Sequence, residues 1–521
     1  MRRTTRWVPV VAAAALLAAC STGEGVDLEG EDGASGEETT GTEGGEDAGA
    51  GTLVAAIAGE PDQLDPHRTS SYFSFQVLEN VFDTLVEPDE HLEMQPALAE
   101  SWEVSDDQLT WTFDLRDDVV WHDGSPFTAQ DVVYSYTRII DEELANAWRF
   151  AAVTEVSAPD DDTVVIEVSA PTPNLLPSIG GFKGMAIVQQ ENVESGDITT
   201  APVGTGPFSL ADYSTGESIE LVANPDWWGG APEVAGVTFR FVPEPTTAIA
   251  ELTAGGVHWT DNVPPQRVEQ LSGDDALVVE SAASNDYWYL AANQAREPFS
   301  DVRVRQAISY AIDRDAIAQV TQYGNATVNQ LAIPETSGWY TEYDRYAHDP
   351  QRAQELLAEA GVTDLEMDLM VTSEYPETVT AAQVIAAQLA EVGITVTPRE
   401  LDFATWLAEQ GEGSYDLLML GWLGNIDPDD FYYAQHHSTG SFNFQGYSNA
   451  EVDALLDEAR TETDDDARKA LYDAAATQIA DDASYVYLYN PDVVQAWVPE
   501  VTGYVARGDG AIRFRDVGLA D

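Results

Sequence analysis

From Leu290 onward the chain alternates capped amphipathic helices with short apolar runs, and that alternation restricts this half to an α/β architecture. Val304, Ala307, Ile308, Ala311 and Ile312 recur at spacings of 3, 1, 3 and 1, which is one face of a helix. Asp349-Pro350 starts a second helix that Gly361 ends. A third is expected over 380–392, stopped by Gly393, and Ser448 with Glu451 reads as a capping box before Val452, Leu455, Leu456 and Ala459. Strand-like runs lie between them at 365–371, 394–396 and 417–420. The first half reads differently. Thr52–Ile57 is a short apolar run fit for a buried strand, and 74–86 suits a helix. Thr110–Leu115 alternates, placing Trp111, Phe113 and Leu115 on one face, and Thr163–Val168 is a further strand. Between these two, Asp123-Gly124 marks a turn and Thr128 with Asp131 caps a helix over 132–140. No internal repeat is visible.

The 521 residues are 44% apolar, enough for two or three lobes. The formal charge of −69 repels nucleic acid and anionic headgroups, so neither is an expected partner surface. A diffuse acidic surface bears on solubility and on salty surroundings rather than on specificity. The one cysteine, Cys20, excludes disulfides, a thiol nucleophile and cysteine metal sites from everything after it.

Cys20 also closes an export signal. Arg2, Arg3 and Arg6 precede an apolar stretch over 8–19 that is too short to span a bilayer. Leu17-Ala18-Ala19-Cys20 resembles a bacterial lipobox, which implies cleavage before Cys20 and a lipid on its sulfur. Residues 21–51 are acidic, Gly/Ser/Thr-rich and free of aromatics, so they read as a disordered tether. The membrane is expected as a partner through that lipid only.

Three long motifs then follow in order. The first begins at Pro96-Ala97-Leu98-Ala99-Glu100-Ser101-Trp102 and runs on through Trp121-His122-Asp123-Gly124-Ser125-Pro126-Phe127-Thr128. The second is Val203-Gly204-Thr205-Gly206-Pro207-Phe208 with Asn224-Pro225-Asp226-Trp227-Trp228. The third is Pro298-Phe299-Ser300-Asp301-Val302-Arg303-Val304-Arg305-Gln306-Ala307-Ile308. In these the chain resembles the family 5 extracellular solute-binding proteins, the peptide and nickel class of ABC-importer subunits, over almost all of residues 52–490. The resemblance implies an α/β fold: a two-lobed, type II periplasmic-binding-protein-like clamshell with an extra subdomain on its N-terminal lobe. It places a hinge lobe at 52–95, 200–287 and 485–521, the subdomain at 96–199 and the second lobe at 288–484. It further implies a monomer that closes on a small solute, by preference a peptide, and docks on ABC permease and ATPase subunits. No cofactor is implied. Each motif also has a scaffold reading: Gly204 and Gly206 permit sharp backbone where the chain crosses between lobes, and Arg303 and Arg305 make organising contacts.

The segment Gly421-Trp422-Leu423-Gly424-Asn425-Ile426-Asp427-Pro428-Asp429-Asp430 is the most suggestive for a ligand. In peptide-binding members a matching segment carries a Trp and an Asp that captures the peptide's α-amino group. Here Asn425 stands at the Asp position and offers no charge, so Asp427 is the replacement, unless the solute lacks a free amine. Turn chemistry is the competing reading for Asp427-Pro428. Candidate ligand-binding residues are Trp422, Asn425 and Asp427, with Tyr72, Trp288 and Trp406 as further aromatic candidates that core packing would equally explain. Asp427→Ala is expected to weaken binding without a large loss of stability. His436-His437 reads as exposed loop histidines rather than a metal site, since adjacent residues do not share a face. The other function classes are a secreted hydrolase and a surface sensor or adhesin without transport. H-E-x-x-H, G-x-S-x-G and P-loop motifs are absent, which speaks against an enzyme. Oligosaccharide, opine and nickel complex remain alternative solutes.

Overall fold

The structure is a computed structural model that describes residues 51–182, 184–422 and 426–520. The export segment with Cys20, nearly all of the tether, and Asn425 lie outside the described residues. Everything below concerns the compact unit Gly49–Asp521.

Ten strands form the continuous path of a 12-stranded sheet, and one of them holds it together. Val486–Trp497 is 12 residues long. Its first part pairs antiparallel with Tyr287–Ala292, through Tyr489↔Trp288 and Tyr487↔Tyr289. Its second part pairs with Val278–Ala283, from Asp492↔Ala283 to Trp497↔Val278. The strand therefore runs from one half of the molecule into the other. Beside it the chain makes the same passage through Ser284, Asn285 and Asp286, which belong to no strand. Pro491 has no N–H to give the ladder. Next to it the Asn490 side chain does the tying: its amide donates to Asp286 O (2.8 Å) and Ala332 O (2.9 Å), and its oxygen accepts from Asn329 (2.9 Å).

On one side of this passage lies the first lobe. Thr52–Ile57 is flanked in parallel by Gly236–Phe241 and Trp259–Thr260, and Phe239, Trp259, Phe514 and Ile219 fill its core. On the other side, Leu365–Thr372 pairs in parallel with Ile394–Leu401 and with Leu417–Trp422. Tyr287–Ala292 and most of Leu365–Thr372 and Leu417–Trp422 are buried on both faces, Leu290 and Leu369 toward one helical layer, Tyr289 and Leu418 toward another, while the edge strand Ile394–Leu401 is largely exposed. That double burial explains the near-continuous apolar runs of the sequence. The extra subdomain is a four-stranded antiparallel sheet in the order Ala99–Val104, Thr110–Leu115, Thr163–Val168, Val153–Ser157. Trp111, Phe113 and Leu115 are buried while Asp114 is exposed, as the alternation requires. The helix Ala129–Asp141 covers it and opens on the expected capping box, with the Thr128 N–H donating to the Asp131 carboxylate at 2.9 Å. The molecule is thus a two-lobed α/β protein with a subdomain.

Several local expectations need correction. The helix expected over 74–86 is only Tyr72–Leu78. Asn80 ends it by donating to Gln76 O (3.0 Å) and Ile512 O (2.8 Å), which fixes the chain to a distant segment. The third helix begins four residues early, at Pro376, because proline suits a first turn. Asn449, not Ser448, caps Ala450–Ala459, accepting from the Glu451 N–H. Gly204 and Gly206 do not mark the crossing: a Cβ on Gly204 would stand 1.9 Å from Val81 O, so what they permit is close backbone approach. Arg303 pairs with Asp301 (2.6 Å), and Arg305 donates to the carbonyls of Asp482 and Phe299. Among the described residues no helix is long and apolar enough to cross a membrane.

Candidate functional site

The Asp-Pro-Asp-Asp segment builds one wall of the site. Asp427 is the N-cap of the helix Pro428–His436, accepting the Asp429 N–H at 2.9 Å, and Pro428 occupies the first turn. The same carboxylate takes a two-pronged contact from Arg468, at 2.7 and 2.8 Å. Arg468 in turn lies 5.1 Å from the ring centroids of Trp339 and Tyr472. Asp429 pairs with Arg460 at 3.2 Å and accepts from the Tyr472 hydroxyl at 3.2 Å. Burial nonetheless pushes its carboxyl up to about 7, against the pull of Arg460. Asp430 meets Arg149 of the subdomain at 3.4 Å.

The first lobe supplies the opposite wall. Its short helix Tyr72–Leu78, with the residue that follows, brings Tyr72, Gln76 and Glu79 to one face by their spacing of four and three. The Tyr72 hydroxyl donates to Gly510 O at 3.0 Å. Gln76 donates to Asp261 at 2.5 Å, and burial pushes the Asp261 carboxyl up to about 6. Glu79 approaches Arg513 at 3.6 Å, and burial outweighs that neighbour to push its carboxyl up to about 7. Arg513 is shared with Glu87 at 3.0 Å, while Arg507 holds Asp509 at 2.9 Å.

A narrow pocket lies between these walls. Glu79, Phe182, Asp509 and Arg513 line it from the first lobe, Arg149 and Pro177 from the subdomain, and Ile426 and Asp430 from the second lobe. Asn285, in the crossing segment, also borders it. One pocket, partly open to solvent, thus touches both lobes, the subdomain and the passage that joins them.

The residues singled out from sequence fall in several places. Trp422, half-buried, ends its strand with its ring edge-on to Phe442 at 5.0 Å. Trp288 is buried against Gly421, whose added Cβ would meet the indole at 3.0 Å, and packs 6.0 Å from Tyr375. Tyr72 stands on the first-lobe wall, its phenol raised by burial and by the Asp261 charge. Trp406 is fully buried and stacks on Phe403 at 6.1 Å, so it presents no surface to a solute. Asp427 is 3% exposed and committed to Arg468 and to its helix. The expectation that it can be removed cheaply is therefore corrected. The histidines are corrected too. His436 ends a helix and is fully buried between Ser484 Oγ (3.0 Å) and the Tyr487 hydroxyl (2.9 Å), and burial lowers it to about 3. His437 is also buried, stacked on Tyr433 at 4.5 Å. Among the described residues no cluster of three His, Cys, Asp or Glu side chains could hold a metal. Sequence reasoning missed Glu79, Arg149, Asp430 and Arg513. Asp430 sat in a segment already singled out; the others carry no local signal.

Comparison with known proteins places the chain. The profile described as bacterial extracellular solute-binding proteins, family 5 Middle, matches residues 93–443. Heme-binding protein A of Haemophilus influenzae is 30% identical, over 82% of this chain and 84% of its own. The dipeptide-binding protein of Escherichia coli is 28% identical, over 90% and 95%. Among solved structures, the periplasmic binding protein DppA of Helicobacter pylori, in complex with the peptide STSA, superposes with a TM-score of 0.80 at 28% identity, covering 90% of this chain and 98% of that one.

Proposed function

The chain belongs to the bacterial extracellular solute-binding proteins of family 5, and from that premise we propose that it encloses a peptide or similar small solute in the cavity between Glu79 and Asp430. It is the substrate-binding component of an ABC import system, a binding protein and not an enzyme. The observation that carries the proposed site is the cavity's triple lining, since a solute there touches both lobes at once. A ligand shifts a hinge equilibrium only by its differential contacts in the two states, and contacts to both walls exist only when the lobes are together. We place the hinge at Ser284–Asp286 and around Pro491, inside the boundaries expected from sequence, and we read the closed protein as what the permease engages. Tyr72 and Trp422, both half-buried, stay in the proposed site together with Asn425 and Trp288. Peptide is preferred over sugar, opine or nickel complex because relatives named for dipeptides and a peptide complex match over nearly the full chain. Export and lipid attachment at Cys20 complete the proposal, with the protein acting as a monomer on the outer face of the cell membrane. Mass spectrometry of the membrane-extracted protein is expected to find residues 1–19 removed and a diacylglyceryl-type mass on the N-terminal peptide.

Isothermal titration of the purified protein with a panel of di- and tripeptides tests the site. Saturable binding is expected, with thermal stabilisation of about 2.7 kcal/mol at a hundred times the dissociation constant. Heat and stabilisation from oligosaccharides alone would replace the peptide by a sugar. Turnover of any panel member would overturn the binding reading.

A further inference from the structure

Two arms of the subdomain reach the second lobe beside the pocket. Arg149 belongs to the single turn Ala147–Phe150, whose Phe150 is buried in the subdomain core. Asn174 precedes the short helix Leu175–Gly180, whose Leu175 is buried in the same core. The Asn174 side chain makes no capping hydrogen bond to its own helix; its amide donates instead to Asp429 at 3.4 Å. Arg149 meets Asp430 at 3.4 Å, and its guanidinium lies 4.5 Å from the ring centroid of Trp148. The two carboxylates are neighbours in the first turn of Pro428–His436, and the next residue, Phe431, is buried in the second-lobe core. Each side of this contact is therefore fixed to the core behind it, and hinge motion changes the distance between them. Arg149, Pro177 and Asp430 also line the pocket, so the contact forms at the space assigned to the solute. Resting on the hinge closure proposed above, we propose that the subdomain is a latch on the closed form, with Asp429 as its acid-sensitive catch.

Charged and titratable groups face Asp429 from every element packed on it. Its own segment brings Asp427 and Asp430. Arg460, at the end of Ala450–Ala459, stands 3.2 Å away. Arg468 and Tyr472 come from Asp465–Asp481, and the Tyr472 hydroxyl donates at 3.2 Å. Asn174 covers it from the subdomain. Burial outweighs the two guanidiniums and raises this carboxyl to about 7. When the lobes part, water replaces Asn174 beside the carboxyl, and the burial that favours its neutral form is reduced. The closed form therefore holds the proton more tightly than the open one. Closing takes up a proton near neutrality, so it is favoured as pH falls through 7 and resisted above. Glu79, on the opposite wall, titrates in the same range, so a comparison isolates Asp429 only where Glu79 is held constant.

Stopped-flow kinetics of trialanine on the whole protein at pH 5.5 and 8.5 test the latch in wild type, Asn174→Ala and Asp429→Asn. At pH 5.5 Asn174→Ala is expected to release trialanine about threefold faster than wild type, the scale of one hydrogen bond. Association rates should be equal, because the latch forms after the solute is enclosed. Between pH 5.5 and 8.5 wild-type release should speed up severalfold relative to Asp429→Asn, whose amide cannot ionise. Glu79 is present in both proteins and cancels in that ratio. An unchanged release rate in Asn174→Ala overturns the latch, and so does an effect confined to association. A ratio of wild type to Asp429→Asn that is flat with pH overturns the acid-sensitive catch. Should Asp429→Asn misfold, the same ratio taken against Asn174→Ala decides the catch, since that variant leaves the carboxyl uncovered. Failure of trialanine to bind removes the peptide preference and leaves the latch to be judged on the free protein. Small-angle scattering should then find wild type more compact at pH 5.5 than at pH 8.5, and Asn174→Ala less so; dimensions indifferent to both overturn it.

Discussion

The two walls beside the pocket hold similar numbers of carboxylates and pair them to different degrees. On the second lobe, Asp427, Asp429 and Asp430 each have a guanidinium within 3.4 Å, and Asp427 and Asp429 a further hydrogen bond each. On the first lobe, Glu79 and Asp261 are half-buried, and each keeps a shielded oxygen without a donor among the described residues. A buried carboxylate that is fully paired is part of the scaffold, and removing it strands its partner. A buried carboxylate that is not fully paired lowers stability in the free protein and gains most when a ligand arrives. Acidic residues beside a cavity are thus not interchangeable evidence for binding; their partners decide.

The largest test of that contrast is Asp427→Ala. The substitution removes the helix cap and leaves Arg468 buried without its counter-charge, so the loss expected in urea unfolding is about 3–5 kcal/mol. Peptide affinity of the folded fraction should be unchanged. Unaltered unfolding together with lost affinity would make the second-lobe wall the binding wall and invert the comparison.

Why sequence reasoning singled out the second-lobe wall and missed the first follows from where the partners lie. Thr52–Ile57, Thr110–Leu115 and Thr163–Val168 were legible to the residue because hydrophobic pattern and turn chemistry are local. The helix from Asp349-Pro350 to Gly361 was legible for the same reason. Asp427 looked free because Arg468 lies 41 residues on. His436 looked like a loop residue because Ser484 and Tyr487, 48 and 51 residues away, enclose it. The first-lobe wall joins Gln76 to Asp261 across 185 residues and Arg513 to Glu87 across 426. No local pattern encodes such pairs. Lobe number and α/β class were legible through long motifs, but motifs of that kind describe the scaffold and leave the solute open.

A second, smaller effect separates the walls by pH. Glu79 is raised from 4.5 to about 7 in the folded protein. The folded state therefore holds that proton more tightly than the unfolded chain, so its contribution to stability is complete below pH 4.5 and is lost as pH rises through 7. Glu79→Gln cannot ionise and avoids the loss. The stability of the variant relative to wild type should rise by about 3 kcal/mol between pH 4.5 and 8, the linkage of a carboxyl raised from 4.5 to about 7 with Arg513 beside it. Asp261, Asp429, His67 and His436 also titrate abnormally, but both proteins contain them and they cancel in the difference. A difference that stays flat with pH would mean that Glu79 titrates at its ordinary value and that burial does not hold it up.

The smallest effect concerns the contact between the walls. Arg149, beside the subdomain sheet, reaches Asp430 on the second lobe at 3.4 Å, with both side chains nearly buried. A pair that spans two lobes exists only when they are together, so it favours the closed form in proportion to its strength. Its energy should then appear in solute affinity, measured from open and empty to closed and filled, and much less in unfolding. Arg149→Ala and Asp430→Ala are each expected to weaken peptide binding severalfold, and the double variant no further than the weaker single, a coupling of about 1 kcal/mol. Both residues also line the cavity, which is why the coupling and not either single loss is the measure. The coupling should survive 1 M salt, because salt screens exposed pairs far more than buried ones. Additive losses would show that each residue acts only on its own wall, and the two walls would then close on a solute without holding each other.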